Sequence, residues 1–333
     1  MRKLLKILPL LIAVSLTACD KVDFREDAKF FFDTTVIYKI KSTKQDENTM
    51  VNILKEIEEI SDSYHKRDVV GVYDLNQTNE KVKISERFYD LLYWVKEAEK
   101  VAPNFNPLVG SLSSLWKESL AKNEVPSSEA IHDEILKINN SELIIEETDD
   151  GMFAQRIGEA TIDLGGIAKG YALDVCKEYF ENNEVTDYLI NAGNSSILFG
   201  VNSSTKPNTF KGPNPYHQLY SVAINELSNK PYFYTNRSIV STSGISEQGV
   251  TIGNITYSHI VNPRTGNAIN LYDAVVVIIP FDYGNGAIGD ALSTSFMTSD
   301  LDTIKEAEKN LGIQVVTIKN DEIFYKSPDL DLK

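Results

Sequence analysis

The sequence predicts an α+β protein with mixed, largely antiparallel sheets and packed helices that are concentrated in the first half of the chain. Two observations lead to this class. Apolar residues recur with helical spacing in the first half, whereas short β-rich runs separated by turns dominate from residue 141 onward. Helices and strands that are segregated along a chain, instead of alternating, are typical of α+β folds.

Four amphipathic helices are predicted in the first half. Residues 49–61 place apolar side chains at positions 50, 53, 54, 57 and 60, which fall on one helix face, and residues 86–101 and 111–121 repeat the pattern. A fourth helix opens at Pro126 and runs to residue 138, because proline is favoured in the first helical turn. The β-rich run at 31–41 precedes these helices and predicts the first strand.

Strands and turns are predicted for most of the second half. Residues 143–147 and 152–157 flank Asp149-Asp150-Gly151, a favourable hairpin turn. Further β-rich runs lie at 187–191, 195–199, 219–225, 238–242, 256–261 and 273–279, and helices are expected at 167–182, 287–298 and 301–311. The sequence shows no internal repeat and no clean linker, so one folded unit is expected over residues 31–333.

Residues 1–18 have the pattern of an export signal. A basic start precedes an apolar run from Ile7 to Leu16, which is about half the ~20 residues that a membrane-spanning helix needs. The run ends in LTAC, which resembles the bacterial lipobox; an ordinary signal peptide with an incidental cysteine is the alternative. The lipobox interpretation predicts a lipidated Cys19, a charged tether over residues 19–30, and a lipid-anchored protein on the extracytoplasmic side of the cell membrane.

The charge and the cysteine count restrict the partners and the covalent framework. A formal charge of −15 argues against nucleic acid or anionic lipid as a partner, since both require a basic surface. A ligand that carries phosphate would need a local cation or a helix N-terminus in so acidic a protein. Cys176 is the only cysteine besides Cys19, so lipidation of Cys19 leaves no pair for an intramolecular disulfide.

The segment TIDLGGIAKGYALD, residues 161–174, has the features of an anion site. It predicts a strand that delivers Asp163, a turn at two glycines, and a helix that starts near Ile167. Free backbone N–H groups at a helix N-terminus attract an anion, and Lys169 adds a positive charge in the first turn. The segment matches neither GxGxxG nor the P-loop, and a strand–glycine–helix turn without a ligand remains the alternative.

Two later segments carry side chains suited to catalysis. His259 ends a β-rich run just before the turn NPRTG, and histidine accepts a proton near neutral pH. A structural histidine is the alternative. Asp290 and Thr294 are four residues apart, so they share one face of a helix. A carboxylate and a hydroxyl suit Mg²⁺, while a capped helix start is the alternative.

In this order, the segments DLGGIAKGYALD, YSHIVNPRTG and DALSTSF resemble those of the ApbE family, the FAD:protein FMN transferases. The resemblance runs from Phe31 to Ile318. It implies an ApbE-like, T-fold-related catalytic domain and Mg²⁺-dependent transfer of the FMN moiety of FAD to a Thr or Ser hydroxyl of a target protein, with release of AMP. The family consists largely of exported proteins, often lipoproteins, so the implied target is an exported or membrane flavoprotein.

The resemblance also assigns individual residues to roles. It implies that His259 is the general base and that Asp290, Thr294 and the backbone carbonyl of Gly166 hold Mg²⁺. The implied FAD contacts are Phe32, Tyr64, Asn104, Phe105, Asn106, Asp163, Lys169 and Val261.

The sequence departs from the family at several of these segments. Asn106 and Asn262 stand where relatives usually have aspartate, and Asn194 stands where they have glycine. Ser293 occupies a position that is a second carboxylate in some relatives. Two other functions share the same pocket: an FAD pyrophosphatase that uses water as nucleophile and gives FMN and AMP, and a flavin-binding lipoprotein without catalytic activity. An intact His259 and Asp290 favour the transferase over the binding protein.

Overall fold

The computed structural model describes residues 21–210, 212–245 and 249–333. Its helices are α1 (Lys44–Ser61), α2 (Val72–Asn76), α3 (Glu86–Val101), α4 (Gly110–Ala121), α5 (Ser128–Asn139), α6 (Ala168–Asn182), α7 (Gly286–Phe296) and α8 (Leu301–Leu311), with a 3₁₀ turn at Pro107–Val109. Its strands are β1 (Asp23–Phe31), β2 (Thr34–Ser42), β3 (Val82–Ile84), β4 (Glu142–Thr148), β5 (Gly151–Ile157), β6 (Tyr188–Ala192), β7 (Ser196–Phe199), β8 (Asn208–Thr209), β9 (Gly212–Pro213), β10 (Tyr220–Ala223), β11 (Tyr232–Thr235), β12 (Ser238–Gly244), β13 (Val250–Ile252), β14 (Ile255–Tyr257), β15 (Ala274–Pro280), β16 (Gln314–Lys319) and β17 (Glu322–Lys326).

An eight-stranded sheet in the order β1-β2-β6-β7-β12-β15-β16-β17 organises the molecule. Every neighbouring pair in it is antiparallel. β15 lies inside this sheet, and its sequence AVVVIIP is buried up to the last residue, as expected for a strand covered on both faces. A smaller sheet, β3-β5-β4, contains the hairpin predicted around Gly151. The predicted α+β class with largely antiparallel sheets is confirmed.

Helices cover one face of the large sheet and form the main apolar core with it. α6 packs against α7, and α7 packs against β12 and β15. α1 begins at Lys44, earlier than predicted, because Thr43 and Asp46 form a capping box: Asp46 N donates to Thr43 Oγ1 at 3.1 Å, and Thr43 N donates to Asp46 Oδ2 at 2.9 Å. The apolar positions predicted for this helix are buried in the core.

The opposite face of the large sheet carries a second apolar cluster. Side chains of β7, β12, β15 and β16 contribute to it, among them Val240 and Val276. Val222 of β10 and Phe233 of β11 belong to the same cluster, so this hairpin covers that part of the sheet. Among the described residues, none from β1 or β2 belongs to the cluster, so the cover does not extend to that edge.

The N-terminal part of the structure differs from the expected tether. Residues 23–31 form β1, which pairs with β2 from Asp23 opposite Ser42 to Phe31 opposite Thr34. The sequence conceals this strand because most of its side chains, on both faces, are exposed and several are charged. Cys19 and the predicted signal at residues 1–18 lie outside the described residues. In the described part of the chain, no helix is both long enough and apolar enough to cross a membrane.

Two of the strands predicted in the second half are shorter than predicted or absent from the sheets. The run at 256–261 is a strand only as far as Tyr257, because Ser258 N then donates to the carbonyl of Ala268 at 2.9 Å and the chain turns away. The segment that delivers Asp163 is extended but belongs to no sheet. Asp163 N donates instead to the carbonyl of Pro107 at 2.8 Å, which ties this segment to the 3₁₀ turn.

Candidate active site

Three connections at one end of the large sheet surround a cavity of about 390 Å³. They are the β1–β2 turn, the β6–β7 turn and the end of β12, joined by the glycine turn before α6 and the loop after β14. Of the residues predicted for the site, all except Tyr64 and Asp290 line this cavity: Phe32, Asn104, Phe105, Asn106, Asp163, Gly166, Lys169, His259, Val261 and Thr294. Segments far apart in sequence therefore meet at one place.

A second cavity of about 190 Å³ adjoins the first and shares Phe32, Asp163 and Lys169 with it. Tyr64 lines this second cavity, so the structure separates it from His259 but keeps it beside Asp163. Burial, and secondly the charge of Asp163, raise the pKa of the Tyr64 hydroxyl. The ammonium of Lys117 lies 5.0 Å from the centroid of the Tyr64 ring, a cation–π distance.

The β1–β2 turn forms the wall between the two cavities. Phe32 and Asp33 both adopt left-handed backbone conformations, with φ of 53° and 56°, which is uncommon for residues other than glycine and costs of order 1–3 kcal/mol each. A carboxylate oxygen of Glu58 on α1 accepts a hydrogen bond from Phe32 N at 2.8 Å and so holds the turn. Burial raises the pKa of Glu58. No local sequence pattern indicates this contact, because α1 and the turn are remote along the chain.

The glycine turn places a helix N-terminus against the cavity. Gly165 N donates to Asp163 Oδ1 at 2.8 Å, which tightens the turn before α6. No side chain caps α6. Gly170 N, which in a regular helix would donate to the carbonyl of Gly166, donates to Asp290 Oδ2 at 2.7 Å instead. As a result, the Gly166 carbonyl at the cavity wall does not accept the hydrogen bond that Gly170 N would donate in a regular helix.

Asp290 is buried behind the cavity wall. Its carboxylate accepts hydrogen bonds from the hydroxyls of Ser196 and Ser241 at 2.8 and 2.7 Å, in addition to the one from Gly170 N. Burial raises the pKa of Asp290, while Lys169 acts in the opposite direction. The sequence analysis did not identify the two serines as partners of this carboxylate.

Thr294 lies one helical turn after Asp290 on α7 and lines the cavity. A Cβ placed on Gly166 would lie 3.3 Å from Thr294 Oγ1, so the glycine backbone and this hydroxyl are close neighbours. Ser293 does not line the cavity: its hydroxyl donates to the carbonyl of Asp290 at 3.0 Å and lies 2.9 Å from the hydroxyl of Ser243, which in turn lies 3.3 Å from Thr294 Oγ1. Ser293 thus supports the helix and the end of β12.

Asp174 fixes α7 relative to α6. Its two carboxylate oxygens accept hydrogen bonds from Gly286 N and Ala287 N at 2.7 and 2.8 Å, in the first turn of α7. Burial raises the pKa of Asp174 to about 7. The two helices touch at glycines, since a Cβ on Gly170 would lie 2.0 Å from the carbonyl oxygen of Gly286. This contact sets the position of Asp290 and Thr294 relative to Lys169.

His259 lies in the loop after β14, which is fixed on both sides. The ring of Trp116 stacks on Tyr257 with centroids 5.4 Å apart, and Trp116 Nε1 donates to the carbonyl of Gly266 at 2.8 Å. The His259 ring is accessible from the cavity, yet surrounding protein atoms displace much of its water. This burial, and secondly the charge of Lys169, lower the pKa of His259, while Asp163 opposes the shift.

The asparagines that depart from the family pattern act as hydrogen-bond acceptors and turn formers. Asn106 Oδ1 accepts from Leu108 N at 2.8 Å and caps the 3₁₀ turn. Asn262 Oδ1 accepts from Arg264 N and Thr265 N at 2.9 and 3.1 Å, which forms the turn after His259. An amide oxygen serves these contacts as a carboxylate would. Asn194 has φ of 60°, a conformation that asparagine tolerates better than most residues.

The donor set at Gly166, Asp290 and Thr294 fits a hard cation that keeps part of its shell for water and substrate. Within the described ranges, no three His, Cys, Asp or Glu side chains come together as a metal cluster. That excludes a zinc-type cage there, but Mg²⁺ is commonly held by one or two carboxylates together with substrate phosphates. Thr294 and the Gly166 carbonyl offer oxygen ligands at the cavity, and the Asp290 carboxylate behind it, which here accepts hydrogen bonds from Ser196, Ser241 and Gly170 N, would supply the charge.

Known proteins share both the sequence pattern and the fold. The model of the ApbE family matches residues 32–317. FAD:protein FMN transferase from Klebsiella pneumoniae (strain 342) is 29% identical over 211 residues, which covers 62% of this chain and 62% of that protein. The enzyme of the same name from Vibrio cholerae is 23% identical over 86% of this chain and 83% of its own length. The ApbE protein from Thermotoga maritima has the same fold, with a TM-score of 0.74, 24% identity, and coverage of 92% of this chain and 97% of its own. The chain belongs to the ApbE family.

Proposed function

We propose that this protein transfers the FMN moiety of FAD to a Ser or Thr hydroxyl of a target protein, forms a phosphoester, and releases AMP. The observation that carries the proposal is the shared cavity of His259, Lys169, Gly166 and Thr294, with the buried carboxylate of Asp290 directly behind it. A proton acceptor, a cation and oxygen ligands for a metal thus converge where a phosphoryl group would react. The FAD:protein FMN transferases among the relatives support the same activity.

The chain's own groups account for binding of an anionic substrate by an acidic protein. Lys169, in the first turn of α6, places a positive charge at the cavity. The N–H groups of Ile167 and Ala168 donate to the Leu164 carbonyl and that of Gly170 donates to Asp290, so the prediction of free N–H groups at this helix N-terminus is wrong for these positions. Mg²⁺ would be held by Asp290, Thr294 and the Gly166 carbonyl, and it would neutralise charge on the pyrophosphate. Phe32 and Phe105 offer aromatic surfaces in the same cavity for the ring systems of FAD.

His259 supplies the proton acceptor. In the proposed step, the hydroxyl oxygen of the target attacks the phosphorus of the FMN half, the bond from that phosphorus to the oxygen of AMP breaks, and the hydroxyl proton moves to His259. Because its pKa lies below the ordinary value of 6.5, His259 is neutral and able to accept a proton at neutral pH. The Asn262 turn and the Trp116–Tyr257 stack hold the loop that presents it.

We further propose that Cys19 carries a lipid anchor and that the acceptor is an exported or membrane flavoprotein. The apolar run followed by LTAC supports this location. The net charge of −15 argues against nucleic acid as a partner.

One incubation distinguishes the proposed transferase from the alternatives. The protein is mixed with FAD, Mg²⁺ and a candidate acceptor flavoprotein, and the products are examined by in-gel flavin fluorescence and by chromatography of nucleotides. Transfer predicts a fluorescent acceptor together with AMP. Free FMN and AMP without a fluorescent acceptor would indicate a pyrophosphatase, and intact FAD would indicate a carrier; either result contradicts the proposal for that acceptor.

A further inference from the structure

β1 and β2 present one exposed face that carries three large apolar side chains. Phe24, Phe30 and Ile37 are 42%, 67% and 47% exposed. The register of the pair places their neighbours on the same side, with Phe24 opposite Lys41, Ile37 opposite Ala28 and Phe30 opposite Thr35. We refer to this set as the hairpin face: Phe24, Glu26, Ala28, Phe30, Thr35, Ile37, Lys39 and Lys41.

The hairpin face lies on the side of the large sheet that buries apolar side chains elsewhere. A row across the sheet runs from Ile37 to Asn191, from Asn191 to Ile197, and from Ile197 to Val240. Val240 belongs to the second apolar cluster, which the β10–β11 hairpin covers. The β10–β11 hairpin does not extend over the hairpin face. The apolar side chains at this edge of the sheet are therefore exposed to solvent, whereas Val240 in the same row is covered by protein.

The composition of the hairpin face suits the interface of a bilayer. The ammonium groups of Lys39 and Lys41 lie 5.3 and 5.8 Å from the centroid of the Phe24 ring. Phenylalanine and aliphatic side chains insert at the boundary between headgroups and acyl chains, and lysine can extend its ammonium to lipid phosphates while its stem covers apolar surface. With Glu26 as its acidic member, the face carries more positive than negative charge, against the average of an acidic chain.

The position of Cys19 in the sequence indicates that the membrane is what contacts the hairpin face. A fully extended chain from Cys19 to Phe24 spans at most roughly 18 Å. A lipid on Cys19 therefore holds the Phe24 end of the hairpin face within that distance of the bilayer. Because the lipid anchor tethers the protein, it raises the effective concentration of the hairpin face at the bilayer. Even a weak affinity of this face for the bilayer interface is then sufficient for binding.

We propose that the hairpin face rests on the membrane that holds the lipid anchor, a proposal that depends on the anchor proposed above. Phe24 and Phe30 are about 20 Å apart along β1, so contact by both lays the strand along the bilayer. Phe30 is followed closely by the turn at Phe32, which lines the cavity. The cavity then opens beside the lipid surface, and the acceptor hydroxyl must be presented close to that surface.

Site-specific quenching by lipids tests this arrangement with the full-length, lipidated protein. Phe30→Cys and Ile37→Cys variants are labelled with a fluorescent maleimide and reconstituted in vesicles of phosphatidylethanolamine and phosphatidylglycerol that contain doxyl-labelled lipid. Cys176 is fully buried and Cys19 is blocked by the acyl group, so only the introduced thiols react. Phe324→Cys is the matched control, because Phe324 is 55% exposed on β17, the opposite edge of the same sheet.

We expect quenching at positions 30 and 37 at least several-fold stronger than at position 324. Equal quenching at the three positions, in protein whose acyl group is verified by mass spectrometry, overturns the proposed contact and leaves the anchor standing. Absence of the acyl group overturns both. A further outcome concerns the unlipidated Cys19→Ala protein. If it forms a dimer, and if Phe30→Ser abolishes that dimer, the hairpin face binds a second copy of the chain and the proposed membrane contact is overturned.

Discussion

His259 shows what the tertiary structure adds to a single side chain. Among the described residues, its ring has no hydrogen-bond partner, while the backbone on either side is fixed by Trp116 and Asn262. An imidazole that is held in a cavity and has no partner is available to a proton from substrate. The structural histidine that the sequence left open would instead be expected to bond with its neighbours.

Removing the imidazole should separate catalysis from binding. In His259→Ala, we expect FMN transfer to fall by roughly 10²–10⁴, the usual contribution of a positioned base, while FAD and Mg²⁺ still bind, because no proposed metal ligand is lost. Single-turnover transfer and equilibrium FAD titration measure the two effects, with the exposed His132→Ala on α5 as a matched control. Transfer at the wild-type rate would remove His259 from the role of base.

The pH profile gives an independent test of the same residue. A base must be deprotonated, so kcat/KM for FAD should rise with pH and level off once His259 is neutral. Because burial and Lys169 lower its pKa, the midpoint should lie below 6.5. A midpoint above 6.5 would show that Asp163, which raises the pKa, dominates in the free enzyme.

Asp290 is expected to matter for both binding and activity. Asp290→Ala removes the carboxylate from the proposed metal ligands, which leaves the pyrophosphate uncompensated in an acidic protein, so FAD affinity and transfer should both drop and Mg²⁺ dependence should be lost. Isothermal titration with FAD in the presence and absence of Mg²⁺ measures this. Asp282→Ala, at an exposed position before α7, is the control. Unchanged FAD affinity and Mg²⁺ dependence in Asp290→Ala would exclude it from the site.

At the scale of elements, the crossing of α6 and α7 determines the geometry of the site. Lys169 and Gly170 belong to one helix, and Asp290 and Thr294 belong to the other. The helices approach closely because glycines stand at the crossing, and Asp174 satisfies the first N–H groups of α7 from within α6. Both features position the segments of the proposed site relative to each other.

Gly170→Ala tests the crossing. The new Cβ would lie 2.0 Å from the carbonyl oxygen of Gly286, and two helix backbones must separate to accept it. We expect a loss of about 1–3 kcal/mol in the free energy of unfolding, typical of overpacking, together with reduced transfer. Urea denaturation measures the first quantity. In Gly284→Ala the nearest atom is a side-chain methyl of Ile279 at 3.1 Å, so this control should cost less. Equal losses in both variants would argue against a tight crossing.

At the scale of the molecule, attachment should depend on one cysteine. We expect Cys19→Ala to release the protein into the soluble fraction or to stop its processing, because in the described part of the chain no helix can span a membrane. Membrane fractionation and the size of the processed protein measure this. Cys176→Ala is the matched control, since that thiol is buried in the core. A processed Cys19→Ala protein that stays on the membrane would refute the lipid anchor.

Local patterns in the sequence predict the class of fold, the long helices, about half of the strands and a set of candidate site residues. Periodicity located α3 and α8 at their observed bounds and the other long helices to within a turn, except that α1 begins more than a turn earlier, at Lys44. These features are local: an amphipathic face or a hairpin turn is defined within a few residues. β1 is not predicted from the sequence, because charged residues are interspersed with its apolar ones and most of its side chains are exposed on both faces; the sequence patterns also miss β16 and β17.

Only the tertiary structure decided which segments share the site and which groups support it. The order β2-β6-β7-β12 brings the turns at residues 32–33 and 193–195 beside the end of β12, and no local pattern contains that order. Glu58 and Asp174 act through contacts with residues far along the chain. Such roles arise from burial and long-range hydrogen bonds, which depend on how elements pack and not on the residues that flank them.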